Sequence, residues 1–184
     1  MGRSWLQRRR TGDSGFRGLS GGIVSAAGLG GALLVLGTAA SALAPVLVLA
    51  GATPTASVLQ RPWIHAAGLA LLGVGILVSL VAQIQMGASW RIGVDPGERT
   101  TLVTHGVFGR VRNPIFTGML LAAFGLVLLV PTGVALAGAA LATLGLELHV
   151  RRVEEPHLLG AHGEAYRAYA CRVGRFVPGV GRLR

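Results

Sequence analysis

Four stretches of the chain are almost purely apolar, and the polar residues gather between them. The stretches cover residues 23–50, 64–86, 115–130 and 132–150. A bilayer core asks for roughly 20 apolar residues per helix, so the pattern predicts four transmembrane helices. The first is long, and Pro45 predicts a tilt or bend within it. The third and fourth are short and separated by little besides Pro131. They predict a helical hairpin that turns at Pro131-Thr132-Gly133. Past residue 162, aromatic and Arg residues recur at helical spacing, which predicts an amphipathic helix at the membrane surface. The expected fold class is all-α and integral to the membrane.

Composition agrees. Charged residues make up 13% of the 184 and hydrophobic residues 52%, whereas a soluble domain carries about 25% charged residues. The formal net charge is +10. The basic residues flank apolar runs, so we read the charge as membrane topology and not as a nucleic-acid surface. All 17 basic residues are Arg, a bias in keeping with a GC-rich bacterial source. The single cysteine, Cys171, excludes an intramolecular disulfide and a cysteine zinc cluster.

The arginines also orient the chain. Arg3, Arg8, Arg9, Arg10 and Arg17 precede the first apolar stretch, and only Arg61 follows it. Arg91, Arg99, Arg110 and Arg112 lie in the next loop, and seven more follow residue 150. By the positive-inside rule the N-terminus, the second loop and the C-terminal tail are expected in the cytoplasm, at a bacterial inner membrane. This divides the chain into an Arg-rich terminus (1–22), two transmembrane helices (23–86) and a core of loop, hairpin and final helix (87–184). Cleavage after Ala42-Leu43-Ala44 is the alternative for the first third, but Pro45 would follow the cut and disfavours it. Glycines at 28, 30, 31 and 37, and at 68, 73 and 75, predict close helix packing.

Two polar blocks carry candidate chemistry. In the first, THGVFGRVRNPIFTG at 104–118, Asn113-Pro114 reads as the cap and first residue of the third helix. The N–H groups beyond Pro114, with Arg112 beside them, would make an anion site. Arg112 as a snorkelling membrane-entry residue is the alternative. In the second, EEPHLLGAHGEAYRAY at 154–169, Glu154 and Glu155 follow the fourth helix. Glu147, Arg151 and Glu155 are spaced four apart, so a continuous helix would put them on one face with Arg151 bridging both acids. Glu147 lies inside the apolar end of that helix, where carboxylates are usually functional. His149, His157 and His162 do not have metal-ligand spacing, and no metal site is expected.

These blocks, with RFVP at 175–178 and MGASWRIGV at 86–94, resemble the catalytic end of the isoprenylcysteine carboxyl methyltransferase and phospholipid methyltransferase superfamily. The resemblance covers about the last hundred residues. The family pattern G-x-[FY]-x-x-x-R-[HN]-P-x-[YF]-x-G falls on Gly106, Phe108, Arg112, Asn113, Pro114, Phe116 and Gly118. Asn113 stands where His is commoner, and Phe116 where Tyr is commoner. The paired acid falls on Glu154 and Glu155, and [FY]-G-x-x-Y-x-x-Y falls on His162, Gly163, Tyr166 and Tyr169. In the phospholipid branch a GxG in the second helix is associated with the methyl donor, and Gly73-Val74-Gly75 is its counterpart here.

The resemblance implies a membrane methyltransferase that uses S-adenosylmethionine. It places His105, Gly106, Phe108, Pro114, Phe116, Gly118, Glu154, Glu155, Tyr166 and Tyr169 with the donor. It places Arg112, Asn113, Arg172 and Arg175 with the reaction, the last two against an anionic acceptor. The acceptor would be lipophilic and enter from the bilayer. Carboxyl O-methylation of an isoprenylcysteine-like or other lipophilic acid is the first expectation, and N-methylation of a phospholipid amine the alternative. A carboxylate needs no base, whereas an amine must first lose a proton. Two further readings stand beside these: a reductase related at its C-terminal end, which would bind NADPH, and a non-catalytic membrane scaffold. No feature of the chain sets its oligomeric state.

Overall fold

The computed structural model describes residues 26–87 and 101–183. The Arg-rich segment 1–22, with Arg3 to Arg17, lies outside them. So do Arg91, Arg99 and Arg184, and the run at 86–94 beyond Gly87.

Six helices succeed one another among the described residues: α1 Ala26–Leu49, α2 Pro62–Met86, α3 Pro114–Leu129, α4 Gly133–His149, α5 Glu155–His162 and α6 Glu164–Arg172. A π-helical turn, Val150–Glu154, joins α4 to α5 without a break. Three helical runs are long and apolar enough to cross a membrane: 28–49, 62–86 and 133–162. The fourth apolar helix, α3, has 16 residues, about 24 Å at 1.5 Å each. No strand forms among the described residues, and the one extended pairing is a parallel bridge between Val111 and Gly174. The chain is an all-helical integral membrane protein, as its apolar pattern predicts. Pro45 is accommodated within α1, which continues to Leu49.

The turn between α3 and α4 falls where expected. Thr132 caps α4 by accepting a hydrogen bond from Ala135 N at 3.1 Å. The hairpin partners, however, are not the main packing partners: α1 packs along α4 and α2 along α3. Glycine decides this. A Cβ on Gly37 would run into the backbone of Ala142, and one on Gly75 into Gly118 O and Ala122 N. Gly30 and Gly145, and Gly68 and Gly125, repeat the two close approaches. Without side chains between them the helix backbones touch, and dispersion contact replaces a hydrophobic force that lipid cannot supply. Of the Gly73-Val74-Gly75 run, Gly75 lies in this seam and Gly73 faces open space.

The outer faces stay apolar and exposed, with Val35, Leu36 and Val46 on α1 and Leu69, Leu77 and Ile84 on α2. That suits contact with acyl chains. Between the helices lies a cavity of about 260 Å³, lined by Leu34, Thr38, Ser41, Leu72, Met119 and Leu146 among others.

Candidate active site

The two polar blocks meet at one end of this bundle. Arg112 comes after a short 3₁₀ turn, Gly106–Gly109, that is pinned to α2 by a hydrogen bond from Val107 N to Gln85 Oε1 at 2.9 Å. Gly106 has φ +61° and stacks directly on the Gln85 amide, so no side chain fits there. Residues 111–113 then run beside 174–175. Arg112 N donates to Gly174 O at 2.8 Å and Asn113 N to Arg175 O at 3.1 Å.

From this ladder the Arg112 side chain turns inward and is buried. Its Nη1 donates to Ala170 O and Val173 O, and its Nη2 to Gly181 O and to Glu155 Oε1. Arg175 grips the same carboxylate with two bonds, Nε to Oε1 at 2.8 Å and Nη2 to Oε2 at 2.9 Å. Its Nη1 stands 3.8 Å from Glu147 Oε2. The bidentate bond raises the Arg175 guanidinium above its usual value, against the pull of burial. One carboxylate thus ties three segments together: the loop before α3, the start of α5 and the tail after α6. Such a charge is tolerable out of water only because it is paired and fully hydrogen-bonded.

The expected face of Glu147, Arg151 and Glu155 is therefore broken. Arg151 reaches Glu147 at 2.5 Å, but Glu155 points to the opposite partners. The π turn is the reason. Its extra residue closes a bond from Glu155 N to Val150 O and rotates the rest of the helix by about 100° relative to an uninterrupted α-helix. Pro156 invites the widening, because its ring would otherwise crowd the Arg152 carbonyl.

Asn113 occupies the cap position of α3, yet its side chain makes no capping bond. Its Nδ2 donates instead to Arg175 O at 3.3 Å. The first-turn N–H groups of Ile115 and Phe116 are left without a side-chain cap. Pro114 is buried at the first position of the helix. Gly118 sits in the seam against Gly75 and Ser79. Thr117 holds the tail by donating to Phe176 O at 2.8 Å.

On α6, Tyr166 and Tyr169 are buried and stack edge to face. The Tyr169 hydroxyl donates to Phe108 O at 2.7 Å, joining α6 to the 3₁₀ turn. Burial pushes the Tyr166 hydroxyl up to about 12, with the Glu155 charge adding to it and Arg112 opposing. Tyr169 is raised to about 12 by burial and by Tyr166. Arg172 is exposed at the last position of α6, and His105 is exposed before the 3₁₀ turn. Neither joins the buried cluster. Glu154 remains half-buried, 3.6 Å from His149 Nε2, and Phe116 meets the His149 ring edge-on at 6.5 Å. His149 is the residue that helical periodicity does not single out. Its contact with Glu154 is made five residues apart, a spacing that faces only across a π turn.

These features define a membrane-embedded helical protein with a polar knot at one end of an apolar bundle. The chain belongs to the phospholipid methyltransferase family, whose model matches residues 63–165, more than half of its length. Its fold is similar to that of the eukaryotic intramembrane Ras methyltransferase, isoprenylcysteine carboxyl methyltransferase, with a TM-score of 0.61 at 20% identity. The match covers 82% of this chain and 53% of that one, so the chain spans about half the length of that structure. No curated protein matches the sequence. Family and fold together make the protein a membrane-embedded member of that family.

Proposed function

We propose that the protein transfers the methyl group of S-adenosylmethionine to a lipophilic acceptor that enters from the bilayer. The observation that carries this reading is the polar knot at one end of a bundle that encloses an apolar cavity between its helices. Leu146 and Met119 line the cavity, and His149 and Phe116 stand one helical turn beyond them toward the knot. Thr38 and Ala42 on its rim are exposed on the outer face of the bundle. A hydrocarbon chain can therefore enter sideways from lipid while its head group stays at the polar end.

The residues at that end fit the donor. Glu155 is consumed by two arginines, which leaves half-buried Glu154 as the carboxylate for the donor's ammonium. The uncapped N–H groups of Ile115 and Phe116 suit its carboxylate, and Arg112 Nε, buried without a partner, adds positive potential beside them. Phe116 offers an apolar surface. When bound, the donor supplies an electrophilic methyl on a sulfonium and leaves as a neutral thioether. The chain's part is to hold the two reactants in line and keep water out, and positioning of this kind can supply most of an acceleration. In this reading the knot faces the cytoplasm, where the donor is made.

Calorimetry of S-adenosylhomocysteine binding to detergent-purified protein tests the proposal, with Glu154→Ala beside wild type. Micromolar binding that the substitution abolishes is expected. A folded wild-type protein that binds nothing, even with lipid restored, would sink it.

A further inference from the structure

Past residue 150, Val177 and Val180 are the only large hydrophobic side chains exposed among the described residues, at 55% and 63%. The helices at this end spend theirs on the protein. Tyr166, Tyr169 and Ala170 of α6 pack inward, against Leu158, Leu159 and Leu183 among others. The exposed positions of α6 hold Glu164, Arg167, Cys171, Arg172 and two alanines. Large apolar surface at the motif end therefore comes from the tail alone.

The two valines stand on a tight turn. Val180 N donates to Val177 O at 3.1 Å, and Arg175 N to Val180 O at 2.8 Å. Gly179 takes φ +78° between them. The turn folds back on Gly174, where a Cβ would strike Val177 O and Val180 N. The carbonyls of Arg175, Phe176, Val177 and Val180 each accept a bond from the protein, and Pro178 has no N–H to donate. Irregular backbone can enter a bilayer only when it is satisfied from within in this way.

The depth of the turn follows from α3. The Thr117 hydroxyl holds Phe176 O, about 5 Å in from the first residue of α3. That helix of 16 residues is about 24 Å long, shorter than the roughly 30 Å of a hydrocarbon core. Its first turn, and the tail bound to it, lie at the level where acyl chains begin.

Charge completes the surface. The Arg182 guanidinium lies beside Gly179, and its side chain is exposed with no ion pair among the described residues. The side chains of Arg172, at the end of α6, and Arg110, beside the Val111–Gly174 bridge, are likewise exposed and unpaired. The described acids at this end, Glu147, Glu154, Glu155 and Glu164, already have partners. The free charge around the turn is positive.

We infer that Val177, Pro178 and Val180 dip into the bilayer as a wedge, with Arg182 at the phosphates of an anionic leaflet. The partner of this surface is the anionic phospholipid bilayer. The valines leave water for acyl chains, and the cation meets the negative surface potential. The same stretch carries Arg175 to Glu155, so the wedge fastens the knot to the membrane surface. This inference stands on the fold alone, and a protein that bound no S-adenosylhomocysteine would leave it standing.

Nitroxide labels on the full chain in lipid nanodiscs test it. In a Cys171→Ala background, single labels are placed by Val177→Cys, Val180→Cys, Ala168→Cys on α6 and Leu144→Cys on the exposed face of α4. Power saturation with oxygen and a water-soluble nickel chelate reads their depth. In phosphatidylglycerol discs the labels at 177 and 180 should lie about 5–10 Å below the phosphates. The label at 168 should lie at or above them, and the label at 144 deeper than all three. In phosphatidylcholine discs the wedge should ride higher, and Arg182→Gln should erase the difference between the two lipids. Labels at 177 and 180 in water, a label at 168 as deep as that at 180, or a wedge depth indifferent to lipid charge would each overturn the inference. So would a lipid difference that survives Arg182→Gln. A readout on the unmodified protein guards against a misfolded variant. Phosphatidylglycerol with a diazirine high on one acyl chain should, on illumination, leave adducts on 177–180 in preference to 164–172. The reverse preference would overturn the wedge.

Discussion

The two halves of the molecule are held together in opposite ways. In the bundle, α1 meets α4 and α2 meets α3 through glycines, with backbone against backbone. At the motif end, one buried carboxylate joins two buried guanidiniums and three stretches of chain. The first kind of contact is made of many small dispersion terms and depends on what is absent, a Cβ. The second depends on a few strong bonds that are safe only while complete. The bundle can therefore tolerate change at most positions, whereas the knot has almost none to spare. The end proposed to react is the end held by the most specific bonds.

Breaking the knot at its centre should have the largest effect. Glu155→Gln removes the anion between Arg112 and Arg175 and leaves two buried cations facing each other. Loss of one partner from a buried pair costs about 3–5 kcal/mol. The substituted protein should melt far below wild type in detergent and lose helicity at the motif end. A melting temperature within a degree or two of wild type would show that the knot is not what holds these segments.

The bundle is probed by adding volume at a seam. Gly37→Leu places a side chain where the Ala142 backbone lies. Overpacking of this kind costs about 1–3 kcal/mol, and α1 should part from α4. A cysteine cross-link between those helices, efficient in the parent, should form slowly in the variant. Gly73→Ala is the internal control, since nothing lies within 4 Å of the new methyl, and its cross-linking should match the parent.

These contrasts also explain what can be read from the sequence. The four apolar stretches are legible because bilayer thickness sets a length that needs no tertiary knowledge. The glycines announce close packing but not the pairing, which depends on seams formed between segments far apart in the chain. The turn at Thr132 is visible, yet α3 and α4 are not each other's main partners. At the site, Arg112 and Glu155 stand out as charges next to membrane helices, but their mutual bond does not. Nothing in the periodicity signals a π turn at Val150, and that turn separates Glu155 from Arg151 and sets Glu154 against His149. Arg175 and Arg172 look alike in sequence, three residues apart. One is buried in the knot and the other is exposed, because the chain leaves the helix between them.

The smallest effect, and the one that sharpens the comparison most, concerns the tyrosines that seal the knot. Tyr169 donates to Phe108 O, and Tyr169→Phe should cost about 1 kcal/mol at neutral pH, the net worth of one such bond. Alkaline pH separates this seal from the bundle. Both hydroxyls are raised to about 12 in the folded chain, against about 10 in an unfolded one. Between those values the unfolded chain releases protons that the folded chain keeps, so stability must fall as pH rises above about 10. At neutral pH both states are protonated and the contribution vanishes. The loss should therefore begin near pH 10, level off near pH 12, and be smaller in Tyr169→Phe, which has one titrating hydroxyl fewer. Intramembrane glycine seams contain nothing that ionises in that window. Thermal melts from pH 9 to 12 should show the motif end loosening first while bundle cross-linking holds. An equal alkaline loss in Tyr169→Phe would mean that this hydroxyl ionises as freely in the folded chain as in the unfolded one.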